Sequence, residues 1–397
     1  MNHKKKTNIM TRRQFLKTKA KVGAAFGALG TFGPWTCSAP VLAESRKSLN
    51  PVKSPWFKEL DNDKVQCQLC PHQCILEQGQ RSPCRVRKNI NGQGYTLAFG
   101  NPALIQEDPV ERKPFFHVLP GSRALSVSTA GCNLNCSFCE VWDMALVRPE
   151  EIHSYKMSPE EVIDHARSAG LDALSYAFGE PVAFYEYMHC MAGLAREAGM
   201  INLVHTAGYI NQAPLRELCE IIDAANVDLK GFDPDFYRDY VGGDIEAVLE
   251  TLKLMKKYGI HVEVTSIVIP TLNDKPEKIR EMCAWIINEL GEDTPLHFSR
   301  FYPLYRLSGL PRTPVSTLDM ARETAMEAGL KYVYVAKVGG HEGENTFCPG
   351  CGARVISRLG FIVEQVEMTD GRCRSCGHFI PGIWKKSKHA SVNLKAG

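Results

Sequence analysis

Long apolar runs are missing from this chain of 397 residues. None approaches the roughly 18–20 residues that a membrane-spanning helix needs, so no transmembrane span is expected. A strong charge of either sign is missing too: 47 Lys and Arg stand against 44 Asp and Glu. The small basic excess sits at the start. Residues 1–43 carry eight basic residues and no acid, and the remainder is mildly acidic, 39 against 44. A general nucleic-acid-binding surface is therefore disfavoured. The compositional bias of disordered, collagenous or coiled-coil chains is also absent, since 44% of residues are hydrophobic and 23% charged. What the chain has in excess is cysteine: 15 residues, most of them in three tight groups.

The first 43 residues read as a secretory signal. Thr11, Arg12, Arg13, Gln14, Phe15, Leu16 and Lys17 form a basic head. A weakly apolar stretch rich in Gly and Ala follows from Ala20 to Trp35, and Val41, Leu42 and Ala43 end it in a cleavage pattern. Paired arginines before Phe and Leu resemble the twin-arginine (Tat) type, which exports folded proteins with cofactors inserted. Export to the periplasm is expected. The alternatives are a cytoplasmic chain, or one tethered at the cytoplasmic side by an uncleaved signal.

The cysteine groups differ in spacing. Cys67, Cys70, Cys74 and Cys84 come first, Cys132, Cys136 and Cys139 second, and Cys348, Cys351, Cys373 and Cys376 last. Pairs two residues apart place both sulfurs on one turn, which suits a metal better than a disulfide. The last group reads as a zinc ribbon: two Cys-x-x-Cys knuckles, each followed by a glycine, Gly352 and Gly377, able to take positive φ. Four thiolates make a closed, structural site; a rubredoxin-like iron site is the alternative. The first group fits zinc or an auxiliary iron–sulfur cluster, and spacing does not choose between them. Cys190, Cys219 and Cys283 stand alone on expected helices and read as core residues.

The middle group carries the chemistry. Three cysteines leave the fourth iron of a [4Fe–4S] cluster without a protein ligand, and an open position makes a metal centre reactive. The spacing C-x-x-x-C-x-x-C, with Phe138 just before the last cysteine, resembles the signature of radical S-adenosylmethionine (SAM) enzymes. By that resemblance the open iron chelates SAM, and the reduced cluster cleaves it to a 5′-deoxyadenosyl radical that abstracts hydrogen.

The scaffold agrees. Apolar strands are expected at 124–129, 173–178, 202–205, 226–229, 261–268, 296–301 and 332–338, with helical periodicity in the gaps. Such alternation predicts an α/β fold, a full or partial (β/α) barrel with parallel strands, whose active groups sit at the C-terminal strand ends. Gly179 and Glu180 follow the second strand; Asp228 and Lys230 follow the fourth and share a face. Gly179 permits close backbone approach. Glu180 and Lys230 supply the anion and cation that an amino acid head group needs. His297 and Arg300 end the sixth strand, where core packing and a cofactor role are evenly matched. The organisation expected is signal 1–43, linker 44–64, a four-cysteine metal-binding segment 65–120, barrel 121–340, zinc-ribbon-like segment 341–384 and tail 385–397.

At family level, residues 65–384 resemble the radical SAM component of the AmmeMemoRadiSam system, related to pyruvate formate-lyase activating enzymes. The stretches that carry the likeness include C-Q-L-C-P-H-Q-C, A-G-C-N-L-N-C-S-F-C, D-A-A-N-V-D-L-K-G-F, H-F-S-R-F and C-P-G-C-G. The resemblance implies that Cys132, Cys136 and Cys139 bind the cluster, that Glu180 contacts the SAM amino group, and that Lys230 is associated with its carboxylate. Departures from the family pattern fall at Glu140–Trp142, Phe178–Pro181, Ala207 and Ala336–Lys337. They mark the pocket beyond SAM. The implied partners are a ferredoxin- or flavodoxin-type electron donor and a protein or small-molecule substrate. The alternative is a multi-site iron–sulfur and zinc electron-transfer protein that does not cleave SAM.

Overall fold

The computed structural model describes residues 49–385; the signal sequence, its cleavage site and most of the tail lie outside the described residues. Among them the dominant element is an eight-stranded sheet. Its strands are β1 (Leu104–Pro109), β2 (Arg123–Ser128), β3 (Ala173–Tyr176), β4 (Ile201–Thr206), β5 (Ala224–Asp228), β6 (His261–Val268), β7 (Leu296–Arg300) and β8 (Val333–Ala336). They lie side by side in chain order. The pairs from β2 to β8 are parallel, and β1 is antiparallel to β2. The sheet does not close on itself, so the architecture is a partial barrel.

Helices α1 (Pro159–Ser168), α2 (Tyr185–Glu197), α3 (Gln212–Cys219), α4 (Ile245–Lys257), α5 (Pro276–Leu290) and α6 (Val315–Glu327) fill the crossovers. Their starts follow from local chemistry. Ser158 and Glu161 form a reciprocal capping box at α1, and the Asp244 side chain accepts the Glu246 N–H at α4. Strands between these helices and the barrel interior are buried along nearly their whole length, on both faces, with polar side chains among the apolar ones. Cys190, Cys219 and Cys283 are buried in this packing, as expected.

The floor of the barrel is a short connection, one 3-10 turn (Val110–Arg112) followed by a loop. Val110, Phe115, Val118 and Leu119, from the connection between β1 and β2, pack on the first inward residues of the strands: Ala124, Ala173, Leu203 and Ala224. Above this apolar layer lies a polar one. Glu263 accepts the backbone N–H groups of Phe116 (3.0 Å) and His117 (2.9 Å) and the Nε2–H of His297 (2.7 Å).

Small antiparallel sheets flank the barrel on either side in sequence. The C-terminal one pairs Thr346–Phe347, Arg354–Leu359 and Ile362–Val366. It docks under the floor: Arg358 donates to the Phe116 carbonyl (2.7 Å), and Leu119 and Ile383 pair through backbone.

Candidate active site

The cysteine loop leaves β2 directly, at the C-terminal mouth of the barrel. Two contacts hold it there. Asn135 and Ser137 donate backbone N–H groups to Val241 (3.0 Å) and Tyr240 (2.8 Å). Phe138 is buried and stacks on Phe236 at 5.9 Å. The three sulfurs lie within electrostatic reach of one another, and Lys230 reaches both Cys136 and Cys139. Burial pushes the Cys136 thiol up to about 12 even with Lys230 nearby. Thiolates in such a place need a cationic centre to compensate them.

Gly179 has no room for a side chain. A Cβ there would lie 2.3 Å from the Ser128 Oγ at the end of β2, and its N–H donates to that same oxygen at 2.9 Å. This close approach brings Glu180 to the cysteine loop, within electrostatic reach of Cys132. Glu180 is held by Thr206 Oγ1 (2.6 Å), the Ala207 N–H (2.8 Å) and the Val182 N–H (3.1 Å). A carboxylate accepts about four hydrogen bonds, so one remains for an ammonium group. Burial raises this carboxyl above its ordinary value, against the pull of those three donors.

Lys230 donates to Asp228 Oδ2 at 2.9 Å, and His205 Nε2 lies 2.9 Å from Asp228 Oδ1. Burial alone would raise the Asp228 carboxyl; Lys230 and His205 outweigh it and hold the group well below the ordinary carboxylate range. Asp228 therefore aims two groups rather than one. His205 escaped the sequence reading. Its strand position matches that of Asn226 on the neighbouring strand, but only the observed register shows it.

His297 does not join this group. It is fully buried, committed to Glu263, and stacked on Tyr334 at 4.9 Å. The reason is its position: it is the second residue of β7, not one of the last, so it points into the polar layer over the floor. Arg300 turns to the Thr313 carbonyl (2.8 Å).

Two of the residues that depart from the family pattern meet each other. Lys337 Nζ lies 2.6 Å from both carboxylate oxygens of Glu140. This pair joins the cysteine loop to the end of β8. Tyr305 stacks on Trp142 at 5.6 Å, and Arg306 donates its N–H to the Ser137 carbonyl, so the loop after β7 also rests on the cysteine loop.

Residues 126–283 match the model of the radical SAM superfamily. An uncharacterized protein of Methanocaldococcus jannaschii is 43% identical over 327 residues, spanning 82% of this chain and 97% of its own length. The chain belongs to the radical SAM superfamily. As a radical SAM protein it is an enzyme, and its superfamily implies a [4Fe–4S] cluster and SAM. It is also 29% identical over 175 residues to the pyruvate formate-lyase-activating enzyme of Clostridium pasteurianum, over 43% of this chain and 71% of that one. Among solved structures, a radical SAM methyltransferase from Sphaerobacter thermophilus aligns with 54% of this chain and 67% of its own, with a TM-score of 0.44 and 18% identity. The donor set fits the implied groups: three thiols from one loop, an acid with spare acceptor capacity, and an ammonium group beside them.

The C-terminal cysteines form a second candidate centre in this radical SAM enzyme. Cys348, Cys351, Cys373 and Cys376 bring their sulfurs within 4.8 Å of one another. The separations Cys348–Cys376 and Cys351–Cys373 are 3.6 and 3.8 Å. A tetrahedral ion with bonds of about 2.3 Å requires edges of about 3.8 Å. Gly352 and Gly377 have φ of +74° and +75°, and each donates its N–H to the carbonyl of the first cysteine of its knuckle at 2.8 Å.

Proposed function

We propose that this enzyme binds its [4Fe–4S] cluster through Cys132, Cys136 and Cys139, and SAM through Glu180 and Lys230. The observation that carries this reading is the convergence of an acid and a base, from two different strand ends, on one cysteine loop. When bound, the reduced cluster supplies the electron that cleaves SAM, and the radical released takes a hydrogen atom. The chain's own part is positioning. Glu180 orients the ammonium group of the amino acid moiety, Lys230 its carboxylate, and Asp228 holds Lys230 in place. The loop after β7 braces the cysteine loop through Tyr305 and Arg306.

An electron carrier would use the cluster without SAM and would need neither Glu180 nor Lys230. Replacing both by Ala should therefore leave the cluster's visible spectrum intact while weakening SAM binding at least about 100-fold, as two lost charge-assisted contacts would. Equilibrium binding of SAM to the reconstituted variant reads this directly. Unchanged affinity would reject the ligand assignment.

We assign the enzyme to the AmmeMemoRadiSam group on the residues and motifs that carry the family likeness, and the activating-enzyme kinship favours a protein substrate. A low-potential ferredoxin- or flavodoxin-type carrier would supply the electron. The twin-arginine segment makes export after cofactor insertion the favoured localisation. Mass spectrometry of the native N-terminus should find Glu44 first; an intact Met1 would reject cleavage. The C-terminal site we assign to zinc in a structural role. Serine at Cys351 should remove about one zinc per chain and lower the melting temperature, with cluster content unchanged. Zinc content that stays the same would reject the assignment.

A further inference from the structure

The cysteines at 67, 70, 74 and 84 remain without a use. All four are free thiols, and they lie within electrostatic reach of one another. Their spread differs from that of the C-terminal four. Among the described residues only the C-terminal group gathers its sulfurs within 4.8 Å. The N-terminal four stand wider, as do Cys132, Cys136 and Cys139. A single tetrahedral ion needs the tight arrangement. A polynuclear cluster needs the wide one, because each thiolate ligates a different iron.

A second, independent observation points to a ligand with acceptor sulfurs. Arg87 is 1% exposed and lies within electrostatic reach of Cys67 and Cys84. One of its nitrogens pairs with Glu186, but Nε and Nη2 are buried without a hydrogen-bond partner. Buried guanidinium N–H groups are costly to leave unpaired, and a cluster's sulfides and thiolates accept such bonds.

The place is as informative as the donors. A Cβ on Gly131, the residue before Cys132, would lie 2.8 Å from the Cys84 carbonyl oxygen and 2.6 Å from a methyl of Val86. The Asn133 side chain, one residue beyond Cys132, reaches the Cys70 sulfur. The backbone carbonyl oxygen of Asn133 lies 2.8 Å from His72 Nε2. The two cysteine loops are in direct contact.

We propose that Cys67, Cys70, Cys74 and Cys84 hold a second iron–sulfur cluster, not zinc, that hands single electrons to the centre at Cys132, Cys136 and Cys139. One electron enters from a low-potential iron–sulfur or flavin carrier and one leaves to the neighbouring centre. No bond is made or broken and no proton moves. The hand-over rests on the SAM-enzyme reading above; the identity of the cluster does not.

The test is metal and sulfide analysis of the full chain, reconstituted anaerobically with iron, sulfide and zinc together. The wild type should hold about eight iron and one zinc per chain. About four iron and two zinc would overturn the proposal. A chain carrying serine at Cys132, Cys136 and Cys139 should keep about four iron and the electron paramagnetic resonance (EPR) signal of a reduced cluster; iron near zero with two zinc would overturn it. That signal stands whether or not SAM binds, so the two readings fail separately. After reduction of the wild type with dithionite, spin coupling between neighbouring centres should broaden the EPR spectrum beyond the sum of two single-centre chains: the one above, and one carrying Cys67→Ser, Cys70→Ser, Cys74→Ser and Cys84→Ser. A spectrum equal to that sum would overturn the hand-over.

Discussion

Replacing Cys136 by Ala should abolish formation of 5′-deoxyadenosine from SAM. Cys136 is buried at the centre of the loop, with Lys230 and Asp228 in electrostatic reach. Its loss leaves two thiolates, too few to hold a cluster with one open position. The effect should be a loss of at least about three orders of magnitude, because the electron must be delivered where SAM is held and the loop would then hold no cluster. The measurement is product per chain after anaerobic reduction, in protein whose circular dichroism and melting temperature show the fold to be intact. Product near the wild-type level would sink the assignment of the reactive centre. The electron-carrier reading predicts no product from wild type either, so the wild type itself is the first comparison.

Acid should begin to destabilise the enzyme well above the pH where most carboxylates titrate. His117 is fully buried between floor and ribbon. Its Nδ1–H donates to the Pro381 carbonyl (2.7 Å), so its Nε2 accepts from Tyr334 (2.7 Å), and the ring must be neutral. Burial lowers it from its ordinary 6.5 to about 3, although Glu263 pulls the other way. The unfolded chain takes up a proton below 6.5 and the folded one does not, so stability falls with pH from there down to about 3. At pH 5 this one group costs on the order of 2 kcal/mol. Burial lowers His297 as well, in the same direction. Glu263 adds to the effect further down: burial would raise it, but His261 and His297 outweigh that and hold it well below the ordinary carboxylate range. Its contribution is present above that ordinary range and is lost below it. The melting temperature should fall by roughly 5 °C or more between pH 7.5 and pH 5. A His117→Gln variant should be less stable at pH 7.5 but show a shallower slope. A flat profile in the wild type would contradict the neutral, buried assignment.

Strands with both faces buried were legible because their apolar runs had no other use; β6 lies at 261–268, where the sequence places it. The antiparallel strand β1 was not. Its residues, Leu-Ile-Gln-Glu-Asp-Pro, are half-buried at a sheet edge and show neither an apolar run nor clean alternation. The N-terminal strands run two to four residues, below the length at which any period shows. In the site, the cysteines, Glu180 and Lys230 were legible from spacing and strand-end position. His205 was not, because register between parallel strands is set by the crossovers and not by the strands themselves. Arg87 and Glu186 are 99 residues apart, and nothing local announces a buried pair. His297 shows the converse: the end of a strand is a region of several residues, and only the last of them face the mouth.

The floor of the barrel has a consequence for how the protein is made. Residues 110–119 precede seven of the eight strands in the chain, and they carry the apolar surface on which β2 to β5 close. During synthesis from the N-terminus this surface emerges before the walls that need it. Each new strand then meets a surface already waiting, and the growing sheet's open edge has a native partner from the start. The ribbon, which seals the outer side of the same segment through Arg358 and Ile383, emerges last. The order of the chain is thus an order of assembly: foundation, walls, then underside.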